Sequence, residues 1–238
     1  MLDVSDRLKP FRNYITPSVL VGTKSAYEMG LATILSLHDS IHIDVCDGVF
    51  TPDTTYPYSD VAKYDMAEHG VIPQGIFTEA HLMVLDPFQI GCEYARKGVT
   101  RLIAHREVFE SDEDVLKTFD MWQSRGAESA LSILFETPIE TILSLARHPL
   151  VKHIQLMSIS PIGVQGTLFD PRTLEKIKLL RSAVPECVIT IDGGMNRDTI
   201  CPVLRAGANR CVIGSAIIKQ QDPVRAYEGL LKALVVCA

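Results

Sequence analysis

The chain has 238 residues, 47% of them hydrophobic, and a formal net charge of −6. This length suits one large core, and α/β barrels commonly reach it as one unit, so we expect a single domain over residues 1–238. The negative charge and the lack of any Lys/Arg run argue against nucleic acid or an anionic membrane surface as the main partner. A small molecule is the expected ligand.

Cysteine usage and the N-terminus bear on the compartment. The cysteines show no C-x-x-C pair, so neither a zinc knuckle nor a disulfide framework is expected. The first residues mix Asp3, Asp6 and Arg7 with apolar side chains, unlike a signal peptide, and no apolar stretch approaches membrane-spanning length. We expect a soluble, cytoplasmic protein.

Short β-rich runs alternate with longer amphipathic segments, which is typical of βα units around a parallel sheet. The eight predicted strands lie near residues 14–21, 40–46, 77–84, 100–105, 128–135, 152–158, 187–192 and 210–214. A helical pattern follows each strand and ends with 222–235. Eight units at this length predict an α/β fold, a (β/α)₈ TIM barrel with eight parallel strands, over an open doubly wound sheet.

Asp-Pro pairs are expected to open three helices, at 86–87, 170–171 and 222–223. Asp can cap the free N–H groups of a first turn, and Pro suits the first helical position.

Polar side chains near the ends of the second, third and seventh predicted strands form the main candidate site. Residues 42, 44 and 46 point to one face because strand side chains alternate, so His42 and Asp44 lie together. His81 ends the third run, and Asp192 closes the seventh before two glycines. A barrel places its chemistry at these carboxyl ends, whereas His153 begins a strand and belongs to the opposite face. His38, His69 and His148 lie in helical or connecting segments and are expected to be solvated.

His42, Asp44, His81 and Asp192 together would suit a Zn²⁺, Fe²⁺ or Mn²⁺ ion with open positions for a substrate. Each residue also has an ordinary interpretation. His42 could be a hydrogen-bonded core histidine, Asp44 a carboxylate paired with a base, and the sequence from Asp192 to Gly194 a common turn.

Glycines after the last two strands predict a phosphate site. Gly193 and Gly194 follow strand 7, and Gly214 and Ser215 follow strand 8, where barrels often bind phosphate through backbone N–H groups. The alternative is that both pairs are merely tight βα turns.

Six motifs resemble, in order, those of ribulose-phosphate 3-epimerases, over residues 14 to 225. They are Pro17-Ser18-Val19-Leu20, His42-Ile43-Asp44-Val45-Cys46-Asp47-Gly48, His81-Leu82-Met83-Val84, Leu156-Met157-Ser158, Asp192-Gly193-Gly194 and Gly214-Ser215-Ala216-Ile217. The resemblance implies a divalent metal bound by His42, Asp44, His81 and Asp192, with the two aspartates as the acid/base pair. It also implies substrate contacts by Ser18, Met83 and Met157, by Gly163 of a lid, and by the phosphate glycines.

The chain departs from the family pattern at two places. Cys46 stands where the family usually has methionine, and its thiol is smaller and could ionise. The lid reads Ser160-Pro161-Ile162-Gly163-Val164-Gln165-Gly166 instead of the family's Asn-Pro-Gly-Phe-Gly-Gly-Gln. His105 and Glu107 resemble the family's His-x-Glu pair, for which a role behind the ligands is expected.

The resemblance therefore implies a metal-dependent isomerase that inverts C3 of a phosphorylated ketose, D-ribulose 5-phosphate to D-xylulose 5-phosphate. The altered lid leaves open a longer substrate such as allulose 6-phosphate, or a non-catalytic sugar-phosphate-binding barrel. A sugar-phosphate decarboxylase on a similar barrel is disfavoured. That class carries Asp-x-Lys-x-x-Asp on a strand, and this chain has no lysine between Asp44 and Asp47. Homo-oligomers are compatible with the resemblance.

Overall fold

Eight parallel strands close into a barrel in the computed structural model, which describes residues 8–61, 63–64 and 72–237. The strands are β1 Ile15–Val19, β2 Ser40–Cys46, β3 Phe77–Met83, β4 Arg101–His105, β5 Glu128–Ile133, β6 His153–Met157, β7 Val188–Asp192 and β8 Arg210–Ile213. Each pairs with the next along the chain, and β8 returns to β1. The predicted TIM barrel is confirmed, and every strand lies within its predicted run.

The helices lie between consecutive strands and after β8. They are α1 Lys24–Leu37, α2 Pro87–Arg96, α3 Asp112–Ser124, α4 Leu143–Ala146, α5 Thr173–Ala183, α6 Ile200–Ala206, α7 Ser215–Ile218 and α8 Pro223–Cys237. Short 3₁₀ turns cover Lys9–Tyr14, Arg106–Val108 and Ile139–Ile142.

Two of the three Asp-Pro predictions are correct. The Asp86 side chain accepts a hydrogen bond from the Phe88 N–H at the start of α2, and Asp222 accepts one from the Arg225 N–H at the start of α8. The third is wrong, because α5 begins at Thr173, two residues after Pro171, and the Asp170 carboxylate binds the N–H and the side chain of Arg172, the residue before the helix.

The segment between β2 and β3 also differs from prediction. Tyr58–Asp60 pairs antiparallel with Lys63–Tyr64, and the described residues 47–61, 63–64 and 72–76 contain no helix. His69 lies outside the described residues.

The apolar core lies between the outer faces of the strands and the surrounding helices. Ile41, Ile43 and Val45 of β2 point into it, while His42 and Asp44 alternate with them and point into the barrel. Polar side chains inside the barrel therefore need partners from neighbouring strands.

Two expectations for isolated residues are corrected by packing. His38 is buried rather than solvated, since it ends α1, accepts the Ser40 N–H on Nδ1 and packs edge-on against the ring of Tyr227. His148 is half-buried.

Cys201 of α6 and Cys237 of α8 form a disulfide, which their sequence spacing did not indicate, because helix packing brings them together. In the part of the chain that the structure describes, none of the helices is long and apolar enough to cross a membrane.

Gly91 of α2 provides a test of core packing, because a Cβ there would lie 2.3 Å from Cε2 of the fully buried Trp122. We expect Gly91→Ala to lower the free energy of unfolding by about 1–3 kcal/mol through overpacking. Denaturant titration followed by fluorescence of the single tryptophan measures this. Gly22→Ala is the matched control, since its nearest atom lies at 3.8 Å, and equal midpoints for the two variants would contradict the packing argument.

Candidate active site

The carboxyl ends of β2, β3 and β7 bring four ligand-type side chains together inside the barrel mouth. His42 and Asp44 come from β2, His81 from β3 and Asp192 from the last position of β7. One nitrogen or oxygen atom of each lies within 4.8 Å of those of the others. Strand alternation turns each side chain inward, and barrel closure makes them neighbours.

The spacing and chemistry of this cluster fit a divalent ion. The Asp44 Oδ1 atom lies 3.2 Å from His42 Nε2 and 3.2 Å from His81 Nδ1. The Asp192 Oδ2 atom lies 3.3 Å from His81 Nδ1 and 3.8 Å from His42 Nε2. Ligands about 2.0–2.2 Å from one ion are separated by about 3.0–3.5 Å, so only small movements would be required. Two imidazoles and two carboxylates suit Zn²⁺, Fe²⁺ or Mn²⁺.

A buried carboxylate orients the first histidine of the cluster. His42 Nδ1 lies 2.9 Å from Glu79 Oε1, and donating its proton there leaves Nε2 to face the cluster as a lone pair. Glu79 is itself held by Arg101, at 3.1 Å, and by Arg210, at 2.5 Å. The ring of His42 is thereby fixed in position and in tautomer.

A second chain of hydrogen bonds orients His81. Its Nε2 atom lies 2.9 Å from His105 Nε2, and His105 Nδ1 lies 3.3 Å from Glu107 Oε2. Because Glu107 accepts the Nδ1 proton, His105 Nε2 is the acceptor and His81 Nε2 the donor. Glu107 is anchored in turn by the Leu134 N–H at 2.9 Å. His105 and Glu107 thus lie behind a candidate ligand, as expected of them.

Charges around the cluster shift the pKa values of its members. Burial alone would lower the pKa of His42, but the Asp44 and Glu79 carboxylates outweigh it and raise the pKa to about 10. Burial alone would raise the pKa of Asp44, but His42 and His81 lower it to about 2. Burial lowers the pKa of His105 to about 4, which leaves that ring neutral and able to accept the His81 proton. A cation bound among these groups would therefore displace protons from imidazole.

Each aspartate directs one oxygen to the histidines and leaves the other free. Within the described residues, the ion pairs and hydrogen bonds of the Asp44 carboxylate all involve Oδ1, and those of the Asp192 carboxylate all involve Oδ2. Both residues also line one cavity. Asp44 Oδ2 and Asp192 Oδ1 are therefore available to a molecule in that cavity.

The cavity has a volume of about 350 Å³ and lies at the barrel mouth. It brings together the residues for which the sequence predicted substrate contact, namely Ser18, Met83, Met157, Gly163, Gly193, Gly194, Gly214 and Ser215. The carboxylates and methionines line one part, and the glycines after β7 and β8 line another.

Gly194 and Gly214 bring the backbone close to this cavity. Gly194 has φ +64°, and a Cβ there would lie 2.4 Å from the Phe169 nitrogen. A Cβ at Gly214 would lie 2.7 Å from the Ser18 Oγ atom. A side chain at Gly194 would therefore collide with the Phe169 backbone, and one at Gly214 with the Ser18 hydroxyl, so both turns beside the cavity require glycine.

The lid predicted over Ser160–Gly166 packs on the cavity wall. Ile162 is buried in a cluster with Cys46, Met83 and Met157, and the Gln165 amide donates a hydrogen bond to the Leu20 carbonyl at 3.0 Å. Burial raises the pKa of the Cys46 thiol to about 12, so it remains protonated. The expectation that this thiol could ionise is wrong, because the lid and the barrel exclude water from it.

Sequence reasoning missed three polar residues at the site. Glu79 and Gln155 stand two positions before His81 and Met157, so strand alternation could have placed them on the same inward faces. Lys219 lines the cavity beside Ser215, just beyond the predicted glycine motif. No spacing signal distinguished this lysine from an ordinary surface residue.

Enzymes built on the TIM barrel have their active sites at the carboxyl ends of the strands. The ligand-type carboxylates and imidazoles of this chain lie at those ends. The model of the ribulose-phosphate 3 epimerase family matches residues 14–218. The chain belongs to this family and is an isomerase.

Curated relatives agree with the family match. Ribulose-phosphate 3-epimerase of Chlamydia muridarum is 32% identical over 197 residues, covering 80% of this chain and 81% of the relative. The Aquifex aeolicus enzyme of the same name is 29% identical over 229 residues, covering 94% and 97%. Among solved structures, 3-hexulose-6-phosphate synthase of Salmonella typhimurium aligns with a TM-score of 0.66 at 12% identity, covering 94% of this chain and 100% of that one. This last likeness concerns the fold alone.

The two histidine environments predict a graded effect on metal content. We expect His81→Ala to lose most of its divalent metal, because it removes a direct ligand, whereas His105→Ala should weaken binding about 10–100-fold as loss of an outer partner. Elemental analysis after dialysis, with affinities from chelator competition, measures both. Stoichiometric, tightly held metal in both His42→Ala and His81→Ala would exclude this site.

Proposed function

We propose that the protein is a metal-dependent epimerase that inverts C3 of a phosphorylated ketose, interconverting D-ribulose 5-phosphate and D-xylulose 5-phosphate. The observation that carries this proposal is the pair of aspartates, Asp44 and Asp192, each with one oxygen on the histidines and one available to the same cavity. The names of the curated relatives support the same substrate.

Inversion at carbon requires removal of a proton from one side and its replacement from the other. Asp44 is on β2 and Asp192 on β7, and β1 and β8 separate these strands around the barrel. The two carboxylates therefore reach the cavity from different sides. In one direction Asp44 takes the C3 proton while protonated Asp192 supplies another; in the reverse direction the roles exchange.

The two aspartates must hold different protonation states for this exchange. The imidazoles of His42 and His81 lower the pKa of Asp44 to about 2 in spite of its burial, which favours the ionised form that can accept a proton. A divalent ion held by His42, Asp44, His81 and Asp192 would supply Lewis-acid stabilisation of the negative charge that develops on the substrate oxygen.

The rest of the cavity would orient the sugar phosphate. We assign the phosphate to the backbone around Gly193, Gly194, Gly214 and Ser215, where N–H groups can face a dianion. Ser18 would contact a substrate hydroxyl, and Met83 and Met157 would provide an apolar wall beside the reacting carbon. Gly163 would cover the substrate from the lid.

A cytoplasmic location and assembly into homo-oligomers are predictions from the sequence.

Replacing Asp192 by Asn tests the acid/base role. The amide keeps an oxygen that can bind metal but cannot exchange the C3 proton, so we expect kcat to fall by ~100-fold or more at full metal occupancy. The intact protein should incorporate solvent deuterium at C3 during turnover. An Asp192→Asn variant that retains metal and near-normal activity would contradict the assignment.

The lid offers a test of substrate preference. Its Ile162 side chain is anchored by Cys46 and Met157, and β-branched residues have less backbone freedom than glycine. We expect kcat/KM on D-ribulose 5-phosphate to lie below that of a relative with a glycine-rich lid, and to rise when Gly-Phe-Gly-Gly is grafted into Ser160–Gly166.

Phosphorylated ketoses should be strongly preferred over free sugars in the same assays. Equal rates on both would exclude the phosphate site, whereas an unchanged kcat/KM after the graft would exclude the role of the lid.

A further inference from the structure

Gln155 is a buried carboxamide inside the barrel, beside the candidate metal ligands. It is 1% exposed and stands two positions before Met157 on β6, so both side chains point inward. Its Nε2 atom lies 3.1 Å from Asp192 Oδ2 and 3.2 Å from His81 Nδ1. It thus contacts two of the four ligand-type residues while belonging to neither the charged cluster nor the substrate-lining residues.

The orientation of this amide follows from its neighbours. A carbonyl oxygen placed 3.1 Å from a carboxylate oxygen would be repelled, so the amide N–H must face Asp192. The Oε1 atom at the other side has no hydrogen-bond partner among the described residues. Burying a half-satisfied amide is costly. Gln155 therefore has two hydrogen bonds at this site, one to Asp192 Oδ2 and one to His81 Nδ1. An ion bound to the single lone pair of His81 Nδ1 would leave only the bond to Asp192.

This bond distinguishes the two aspartates. Asp44 lies within β2, and its Oδ1 atom is 3.2 Å from each imidazole, whereas Asp192 ends β7, and its Oδ2 atom is 3.3 Å from His81 and 3.8 Å from His42. The Asp192 backbone is held by pairing with both neighbouring strands and by Ser158, which donates to its carbonyl, so what remains to be fixed is the side chain, through lateral contacts. Gln155 supplies such a contact from the adjacent strand, since Met157 of β6 is in register with Asp192.

We infer that Gln155 is a positioning residue for Asp192, an inference that rests on the function proposed above. Its N–H holds Oδ2 against the histidines and so presents Oδ1 to C3 of the substrate. Without this bond, proton transfer through Asp192 is impaired, while transfer through Asp44 continues.

The consequence can be measured as a partition between exchange and inversion. Gln155→Met preserves length and volume but removes the donor, and Gln155→Leu is a second variant of the same kind. Each metal-loaded protein is incubated in deuterium oxide with D-ribulose 5-phosphate and, separately, with D-xylulose 5-phosphate. NMR then gives the partition ratio, which is the amount of C3 deuterium in recovered substrate divided by the amount in product.

The matched control is Ser132→Ala. Ser132 lies on β5 in register with Gln155, is equally buried, and its Oγ atom likewise has no partner among the described residues. Its removal changes the same layer of the barrel without touching either aspartate, so both partition ratios should match those of the intact protein.

For the epimer that Asp44 deprotonates, we expect the Gln155 variants to raise the partition ratio by ~10-fold or more, because the intermediate is reprotonated by Asp44 before Asp192 can act. For the other epimer, deprotonation itself is slowed, so the ratio should not rise. Metal content should remain stoichiometric. This asymmetry is the signature of one impaired aspartate.

Ratios unchanged from the Ser132→Ala control, or raised equally for both epimers, would overturn the inference. So would loss of folding or metal in both Gln155 variants, since that result would assign the residue a purely structural role. If the intact, metal-loaded protein neither exchanges nor inverts either sugar phosphate, the proposed function fails instead.

Discussion

The interior of this barrel depends on one buried carboxylate, that of Glu79. It is fully buried and contacts Arg101, Arg210 and His42 from three other strands. Two guanidinium groups inside a barrel need a counter-charge, because a buried charge with neither solvent nor an ion-pair partner strongly destabilises the fold. Burial alone would raise the pKa of Glu79, but Arg210 and His42 outweigh it and lower the pKa below its ordinary range. The carboxylate therefore remains ionised.

The same carboxylate links the stability of the barrel to its chemistry. Arg101 and Arg210 begin β4 and β8, whereas the candidate metal ligands lie nearer the carboxyl ends of their strands. Glu79 lies between these layers and fixes the His42 ring. Glu107 has the corresponding role for His81 through His105. Acceptors placed behind both histidines keep the imidazoles oriented before any ion binds, which reduces the reorganisation needed on binding.

Apolar residues close the site from the other side. Ile162 of the lid packs in the cluster formed by Cys46, Met83 and Met157, and the protonated thiol adds no charge near the carboxylates. A water-poor wall strengthens electrostatic interactions at the barrel mouth. The departure at Cys46 and the departure in the lid are thus in direct contact, so the shape of the cavity depends on both.

The sequence by itself determined the eight strands and the inward faces of His42, Asp44 and His81, because strand alternation is a local property. It also predicted that strand ends would carry the site, and the family motifs located Asp192. Only the tertiary structure decided which groups meet across the barrel: Gln155 with Asp192, and Glu79 with Arg210. For the same reason, the sequence did not predict the burial of His38 or the disulfide between α6 and α8. Alternation fixes a face, whereas contacts between strands and helices depend on register, closure and packing over long sequence separations.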